Sequence, residues 1–139
     1  MAVLVIGLCL AIVPAYAQHS TQAMTQQILL DPSSKANTAA STSGWLDVRK
    51  MEGDITIIVQ TGAITGSIAY TVEDATDGTG TGGAGITPLD GAFSAVTANT
   101  IQKRTINAKA HRGWIRIVGT IVTGPVLNAA SLLHQPKNQ

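Results

Sequence analysis

Apolar and polar residues alternate along several short stretches of this chain, which is the period-two pattern of β-strands. In residues 114–122, Ile115, Ile117 and Ile121 fall on one face of an extended strand. A Thr-Gly-Pro break at 123–125 then separates this run from a second apolar run, residues 126–133. The two apolar runs and the turn-forming residues between them therefore predict a β-hairpin over Gly113–His134.

The same alternation predicts strands at residues 54–60 and 67–74 and weaker strands at 45–48, 93–96 and 101–106, with a turn at Thr61–Gly62. No long amphipathic helix is visible after Gly44. We therefore predict an all-β fold, a single antiparallel β-sandwich or barrel of jelly-roll or immunoglobulin-like type, as the body at residues 45–139. The predicted buried positions are Ile55, Ile57, Val59, Ile68, Tyr70, Val72, Ile115, Ile117 and Ile121.

The first part of the chain, residues 1–44, is predicted to be an apolar segment followed by an extended N-terminal arm or linker. Residues 18–44 show neither helical nor strand periodicity apart from the short apolar island Ile28–Leu30. That island is interpreted either as the anchoring point of an arm or as one edge strand added to the body.

Two interpretations remain open for the apolar run Ala2–Val13. The run followed by Ala15–Tyr16–Ala17 has the form of a secretory signal that is cleaved after Ala17, although no Lys or Arg precedes it. The alternative is an uncleaved arm that docks on a partner. The run is too short for a membrane span and is interrupted by Pro14, so we expect no membrane association of the mature protein.

Charge is sparse and unevenly distributed. Only 12% of the 139 residues are charged, about half the usual share, and the net charge of +1 gives no bias toward nucleic acid. Residues 45–90 hold seven acids and two bases, whereas residues 91–139 hold six bases and no acid. We expect the two halves to interleave and neutralise each other across strands; complementary faces between subunits are the alternative.

The residues that carry chemistry give only weak signals. Gly78–Gly83 matches G-x-G-x-x-G, but a helix does not follow it, so we reject a dinucleotide site. The nearby acids Glu73, Asp74 and Asp77 lack the spacing of a calcium loop and are interpreted as solvated. The three histidines share no metal-ligand spacing, and Cys9 lies among aliphatic residues. We therefore predict no enzyme activity, catalytic residue, cofactor or metal site.

A resemblance to small all-β structural proteins of tailed phages is carried by four stretches. Residues 68–78 form a strand with acidic residues that leads into a D-G turn, and 93–96 form a short F-x-x-V element. Residues 113–124 form a late strand of the aromatic-φ-R-φ-φ-x-T type, and residues 134–136 follow the closing apolar strand. The chain resembles the capsid cement or decoration type of these proteins over residues 45–136.

The resemblance implies a virion structural protein on the capsid surface, a homotrimer that bridges and stabilises neighbouring major capsid protein subunits. The alternative is a secreted or periplasmic β-sandwich that binds a glycan or a protein. Arg116 is expected to be half-buried, with its aliphatic stem packed and its guanidinium group at the solvent-exposed edge of the packed surface. There it is a candidate for an ion pair with a neighbouring subunit. The candidate partner-binding residues are Val3, Leu4, Val5, Ile6, Leu8, Leu10, Ile12, Val13, Ile28, Leu29, Leu30 and Arg116.

Overall fold

The computed structural model describes residues 24–36 and 40–137, and the regular secondary structure of this part is almost entirely β-strand. One short 3₁₀ turn, Ala108–Ala110, lies between two of the strands. The nine strands are β1 (Thr25–Lys35), β2 (Ser41–Thr42), β3 (Leu46–Asp47), β4 (Met51–Ile64), β5 (Ser67–Ala75), β6 (Ala84–Ile86), β7 (Thr100–Asn107), β8 (Trp114–Thr123) and β9 (Val126–Pro136).

Two antiparallel sheets pack face to face, which confirms the predicted all-β sandwich. The first sheet has four strands in the order β1-β9-β4-β7, and the second has the order β2-β8-β5-β6, with β3 also paired to β8. The inward side chains of both sheets form one hydrophobic core. All nine side chains predicted to be buried have relative exposures of 5% or less, because each occupies the inward position of an alternating strand.

The predicted hairpin over Gly113–His134 is wrong, although its two strands are in place. β8 pairs with β5 in the second sheet, whereas β9 pairs with β1 and β4 in the first. The break after Thr123 therefore carries the chain from one sheet to the other. An amphipathic strand buries the same residues in either arrangement, so its pattern does not specify which strand becomes its neighbour.

The chain makes a second crossing between β4 and β5. The predicted turn at Thr61–Gly62 is also wrong, because both residues lie within β4 and the crossing falls at Thr65–Gly66. The two crossings meet at one end of the sandwich, where the Thr65 amide donates to the carbonyl oxygen of Pro125 at 3.3 Å. This contact ties the two connections together.

The weaker predicted strands have mixed outcomes. The segment at 101–106 lies within β7, and the segment at 45–48 contains β3. Residues 93–96, by contrast, form only one bridge, from Val96 to Ile68. The chain before that bridge runs beside the outer edge of β7, where the Leu89 amide donates to Thr105 O and Asp90 accepts from the Thr105 amide. This segment therefore covers one sheet edge.

Part of the predicted arm belongs to the sandwich. β1 is an edge strand of the four-stranded sheet, so the edge-strand interpretation of Ile28–Leu30 is the one the structure shows. Leu30 is 7% exposed within the core, and Leu29 packs against that core. β2 adds Ser41–Thr42 to the other sheet. Burial of Leu30 explains why a strand forms where the sequence has little periodicity.

Candidate functional site: the outer faces of the two sheets

The outer face of the four-stranded sheet is broad and exposed, and its central rows carry little charge. Its four strands present side chains in rows, because residues that are directly opposite in antiparallel strands point to the same face. Ile28 and Ile101 are each 62% exposed on this face. The central rows are Ile101, Gln60 and Ala129; then Lys103, Ile58, Ser131 and Ile28; then Thr105, Thr56, Leu133 and Gln26. Lys103 is the one charged residue in these rows.

A trough runs along this face above β9. Its floor is formed by Ala129, Ala130 and Ser131, and its walls include Ile28 on β1 and Ile58 on β4. The trough has a volume of about 200 Å³, and a second hollow of about 140 Å³ adjoins it toward Leu127. Small outward residues on the central strand between larger ones on its neighbours produce this shape.

The outer face of the second sheet is built differently, because its charged and aromatic side chains contact one another. Arg116 on β8 and Glu73 on β5 are directly opposite, and their side chains pair at 2.7 Å. The Arg116 guanidinium also lies 4.5 Å from the ring centroid of Trp45. The side chain of Arg116 is 32% exposed, as expected for a half-buried position, and its ion pair is made within the chain.

The glycine-rich loop between β5 and β6 packs against indole rings. A Cβ atom added at Gly78 would lie 3.0 Å from the nearest atom of Trp114, and one added at Gly80 would lie 2.5 Å from Trp45. Asp77 accepts hydrogen bonds from the amides of Thr81 and Thr79 at 3.0 Å each. Side-chain and backbone hydrogen bonds from Thr81, together with those from Thr79, hold the pKa of Asp77 well below its usual value. The glycine spacing thus has a packing role.

Asp74 ties the same end of the second sheet to the segment before β8. Its carboxylate accepts from the Arg112 side chain, with Nε at 3.0 Å, and lies 3.7 Å from Nδ1 of His111. Arg112 also donates to the carbonyl oxygen of Gly82 at 2.6 Å. The hydrogen bond from Arg112 lowers the pKa of Asp74 despite the burial of the carboxyl group. These contacts confirm the expected neutralisation between the acidic and basic halves.

We expect the stability of the protein to fall as the pH is lowered below about 4, in part because of Asp74. A carboxyl whose pKa is lower in the folded state contributes stability above its unfolded pKa and loses it as the pH falls through the folded value. Asp74→Asn should reduce the free energy of unfolding at pH 7 by about 2 kcal/mol and flatten its decline between pH 5 and 2. Urea denaturation at a series of pH values measures both effects.

The matched control for this prediction is Asp31→Asn, which removes the same charge from an exposed position on β1. It should leave both the stability at neutral pH and the steepness of the acid decline close to those of the parent protein. If the two variants showed equal pH profiles, the role of the Asp74–Arg112 pair in acid stability would be refuted.

The structure distributes the predicted partner-binding residues over several places. The eight candidates from Val3 to Val13 lie outside the described residues. Ile28 and Leu30 line the trough, whereas Arg116 lies on the opposite sheet. The trough floor at Ala129 and Ser131 was not predicted; the available signal was the small size of alternate residues in the last strand.

Two further findings concern chemistry in the described part of the chain. Residues 24–36 and 40–137 contain no group of three or more His, Cys, Asp or Glu side chains placed to hold a metal ion. The acids Glu73, Asp74 and Asp77 instead contact three different sets of partners. Within the same residues, no helix has the length and apolar character needed to cross a bilayer.

No protein-family model matches the chain, and no curated protein matches it significantly. Among solved structures, the chain is similar to one described as the crystal structure of PirA, with a TM-score of 0.48 and 8% sequence identity. The similarity covers 86% of this chain and 99% of that one.

Proposed function

We propose that this protein is a non-enzymatic capsid decoration protein, which bridges and stabilises neighbouring major capsid protein subunits as a homotrimer on the virion surface. The observation that carries the proposal is the low charge in the central rows of the outer face of the four-stranded sheet, on which Ile28 and Ile101 are exposed. Exposed apolar side chains on a sparsely charged surface of a folded domain are consistent with an interaction site. A sheet supported by its own core also presents such a surface rigidly, so little conformational entropy is lost on docking.

The elements behind the phage-protein resemblance converge on β5, which supports the proposal. The acidic residue Glu73 lies opposite Arg116 of the late strand. The short F-x-x-V element reaches the same strand at two points: Phe93 packs edge-on against Tyr70 with ring centroids 6.1 Å apart, and Val96 bridges to Ile68. Three of the four stretches that resemble phage structural proteins, residues 68–78, 93–96 and 113–124, therefore pack together around β5.

Bridging of this kind needs no catalytic group. Each copy would cover a joint between capsid subunits and bury part of its exposed sheet face there. Many symmetry-related copies acting together make a modest interface effective, because separating the shell requires many such contacts to break. The sparse charge of the outer face limits the cost of removing it from water.

The test is coexpression with the major capsid protein encoded in the same genome, followed by sedimentation and electron microscopy of the shells. We expect the protein to sediment with the shells and to appear as density on their outer surface. Ile101→Glu places a charge on this face, on the edge strand β7, and should reduce occupancy at least about tenfold. Thr71→Glu, an exposed position on the other sheet, is the matched control and should bind normally. Shells that assemble without bound protein would overturn the proposal.

The second candidate is a secreted β-sandwich that binds a glycan or a protein. The observation that favours it is the Ala15–Tyr16–Ala17 sequence after the apolar run. Intact mass of the protein from its native source separates the two functions. A chain that begins at Gln18 supports secretion, whereas a chain that retains Ala2 supports the decoration protein.

A further inference from the structure

The edges of the two sheets differ in how much of their backbone is covered. In the second sheet, β2 and β3 line one side of β8, while β6 and the Val96 bridge line the open side of β5. In the first sheet, residues 89–94 cover β7: the Leu89 amide donates to Thr105 O, and the Gln102 side chain bonds the backbone N and O of Ser94. Among residues 24–36 and 40–137, β1 is therefore the longest open edge, with eleven residues.

The outer side of β1 presents backbone groups that can accept another strand. In an antiparallel pair, alternate residues direct their N–H and C=O groups away from the neighbouring strand. Within the described part of the chain, the only hydrogen bonds that join residues 25–35 to another segment are those of the ladder with β9. An exposed strand edge of this kind is a template for strand addition.

Only the first part of this edge is suited to pairing. Two register shifts against β9 fall between residues 28 and 33, and the same stretch contains Asp31 and Pro32. Bulges, charges and proline all discourage a second strand from pairing. Residues 25–28, by contrast, pair with β9 without a shift, and residues 24–30 contain no charge, glycine or proline. The pairing-competent stretch is therefore Met24–Ile28.

The side chains of this stretch complement a second copy of themselves. Strand alternation places Met24, Gln26 and Ile28 on the outer face, where Met24 is 56% and Ile28 is 62% exposed. An antiparallel second copy, with Gln26 opposite Gln26, brings Met24 of each copy opposite Ile28 of the other. The two exposed apolar side chains then cover each other, and no like charges meet. On the other face, Thr25 lies opposite Gln27, so polar side chains also match.

The covered edge at β7 explains why such pairing would stop at two sheets. Because β7 is blocked by residues 89–94, a third sheet cannot add to the far side of the first. Copies that join through this sheet therefore meet β1 to β1, which is a two-fold contact that uses the same surface on both partners. Five paired residues on each copy form about four to six backbone hydrogen bonds, depending on which residues direct their amides outward.

We propose that two copies of this protein join edge to edge through Met24–Ile28, antiparallel about a two-fold axis at Gln26. The two four-stranded sheets then form one continuous sheet of eight strands. This inference goes beyond the proposed function and is tested without capsids. Edge pairing leaves the outer face of the sheet uncovered, so it is compatible with docking of that face. On a shell, a two-fold contact would join one copy of a trimer to one copy of the next.

Disulfide trapping with two single-cysteine proteins tests the register. Both are full-length chains with Cys9→Ser, which removes the only natural cysteine; one carries Met24→Cys and the other Ile28→Cys. They are oxidised with copper phenanthroline, separately and after mixing. We expect the mixture to form a covalent dimer on a non-reducing gel, with a linkage between residues 24 and 28 by mass spectrometry. Residues directly opposite have Cα atoms about 4.5–5.5 Å apart, within the range of a disulfide.

Each single-cysteine protein is the control for the other. Identical positions in the two copies lie roughly 13 Å apart along the strands, so each protein alone should give less than about one-tenth of the dimer formed by the mixture. A mixture that forms no linkage would overturn the inference, because another segment or another partner then covers the edge. Dimers formed by the Ile28→Cys protein alone would overturn it as well, because the strands would then pair in a different register.

Charge substitution at the axis gives an independent readout by sedimentation velocity over a series of concentrations. Gln26→Lys places two lysines opposite each other and should weaken self-association at least about tenfold, and Gln26→Glu should do the same. An equimolar mixture of these two variants should regain the association, which also shows that both are folded. Thr71→Lys, at an exposed position on the second sheet, is the matched control and should behave like the parent.

Three outcomes of the sedimentation experiment would contradict edge pairing. They are equal effects of Gln26→Lys and Thr71→Lys, a mixture of the lysine and glutamate variants that regains no association, and a parent chain that stays monomeric at the highest concentration. Binding to shells is measured separately, so loss of edge pairing and loss of the decoration function are distinguishable.

Discussion

Replacing Gly66 by alanine is expected to lower the free energy of unfolding by more than about 3 kcal/mol. Gly66 lies at the crossing from β4 to β5, against the crossing from β8 to β9. A Cβ atom there would collide with the carbonyl oxygen of Thr123 and would sit 2.6 Å from its carbonyl carbon. Backbone atoms cannot rotate away as a flexible side chain can, so the two connections would have to separate.

Chemical denaturation followed by circular dichroism measures this effect. The matched control is Gly85→Ala on β6, where no atom lies within 4 Å of the added Cβ. We expect its stability to stay within about 0.5 kcal/mol of the parent. Comparable stability of the two variants would contradict the close approach of the two crossings.

A second large effect is expected for Gly80→Ala, which should lower the free energy of unfolding by about 3 kcal/mol. Two costs add at this position. Gly80 has a φ of 90°, a conformation unfavourable for residues with a side chain, and its Cβ would meet Trp45 at 2.5 Å. The indole is held from another side by the guanidinium of Arg116, 4.5 Å from its ring centroid.

The control Gly91→Ala separates these two costs. Gly91 has nearly the same φ, 91°, but no atom lies within 4 Å of an added Cβ. It should therefore show only the conformational cost, about 1 kcal/mol. Tryptophan fluorescence provides a second readout, since Gly80→Ala should alter the emission of the native protein and Gly91→Ala should not. If both variants lost equal stability, the packing role of the loop glycine would be refuted.

The core of this protein could be predicted well from residue pattern alone. In β4, β5 and β8, strict alternation places Ile57, Tyr70 and Ile117 inward, and each is buried. Alternation works here because the side-chain period of a strand is a local property that does not depend on its neighbours. The pairing of Glu73 with Arg116 was anticipated only as a general tendency, since the residues are 43 positions apart.

The candidate site could be predicted only in part. Ile28 and Leu30 were singled out as an apolar island, and both line the trough. The trough itself depends on Ala129 and Ser131, small residues that carry no signal in isolation. Their importance appears only when β9 lies between β1 and β4, because larger side chains then stand on both sides.

The sequence by itself determined the fold class, the approximate positions of β4, β5, β8 and β9 and the faces that they bury, because these follow from local alternation and from residues that break strands. Only the tertiary structure decided that β8 and β9 lie in different sheets and that residues 25–35 form an edge strand. It also decided which side chains meet across the outer faces. The physical reason is that contacts between residues far apart in the chain select which strands pair. An amphipathic strand buries the same apolar side chains whichever strand lies beside it, so its own pattern does not specify its neighbour.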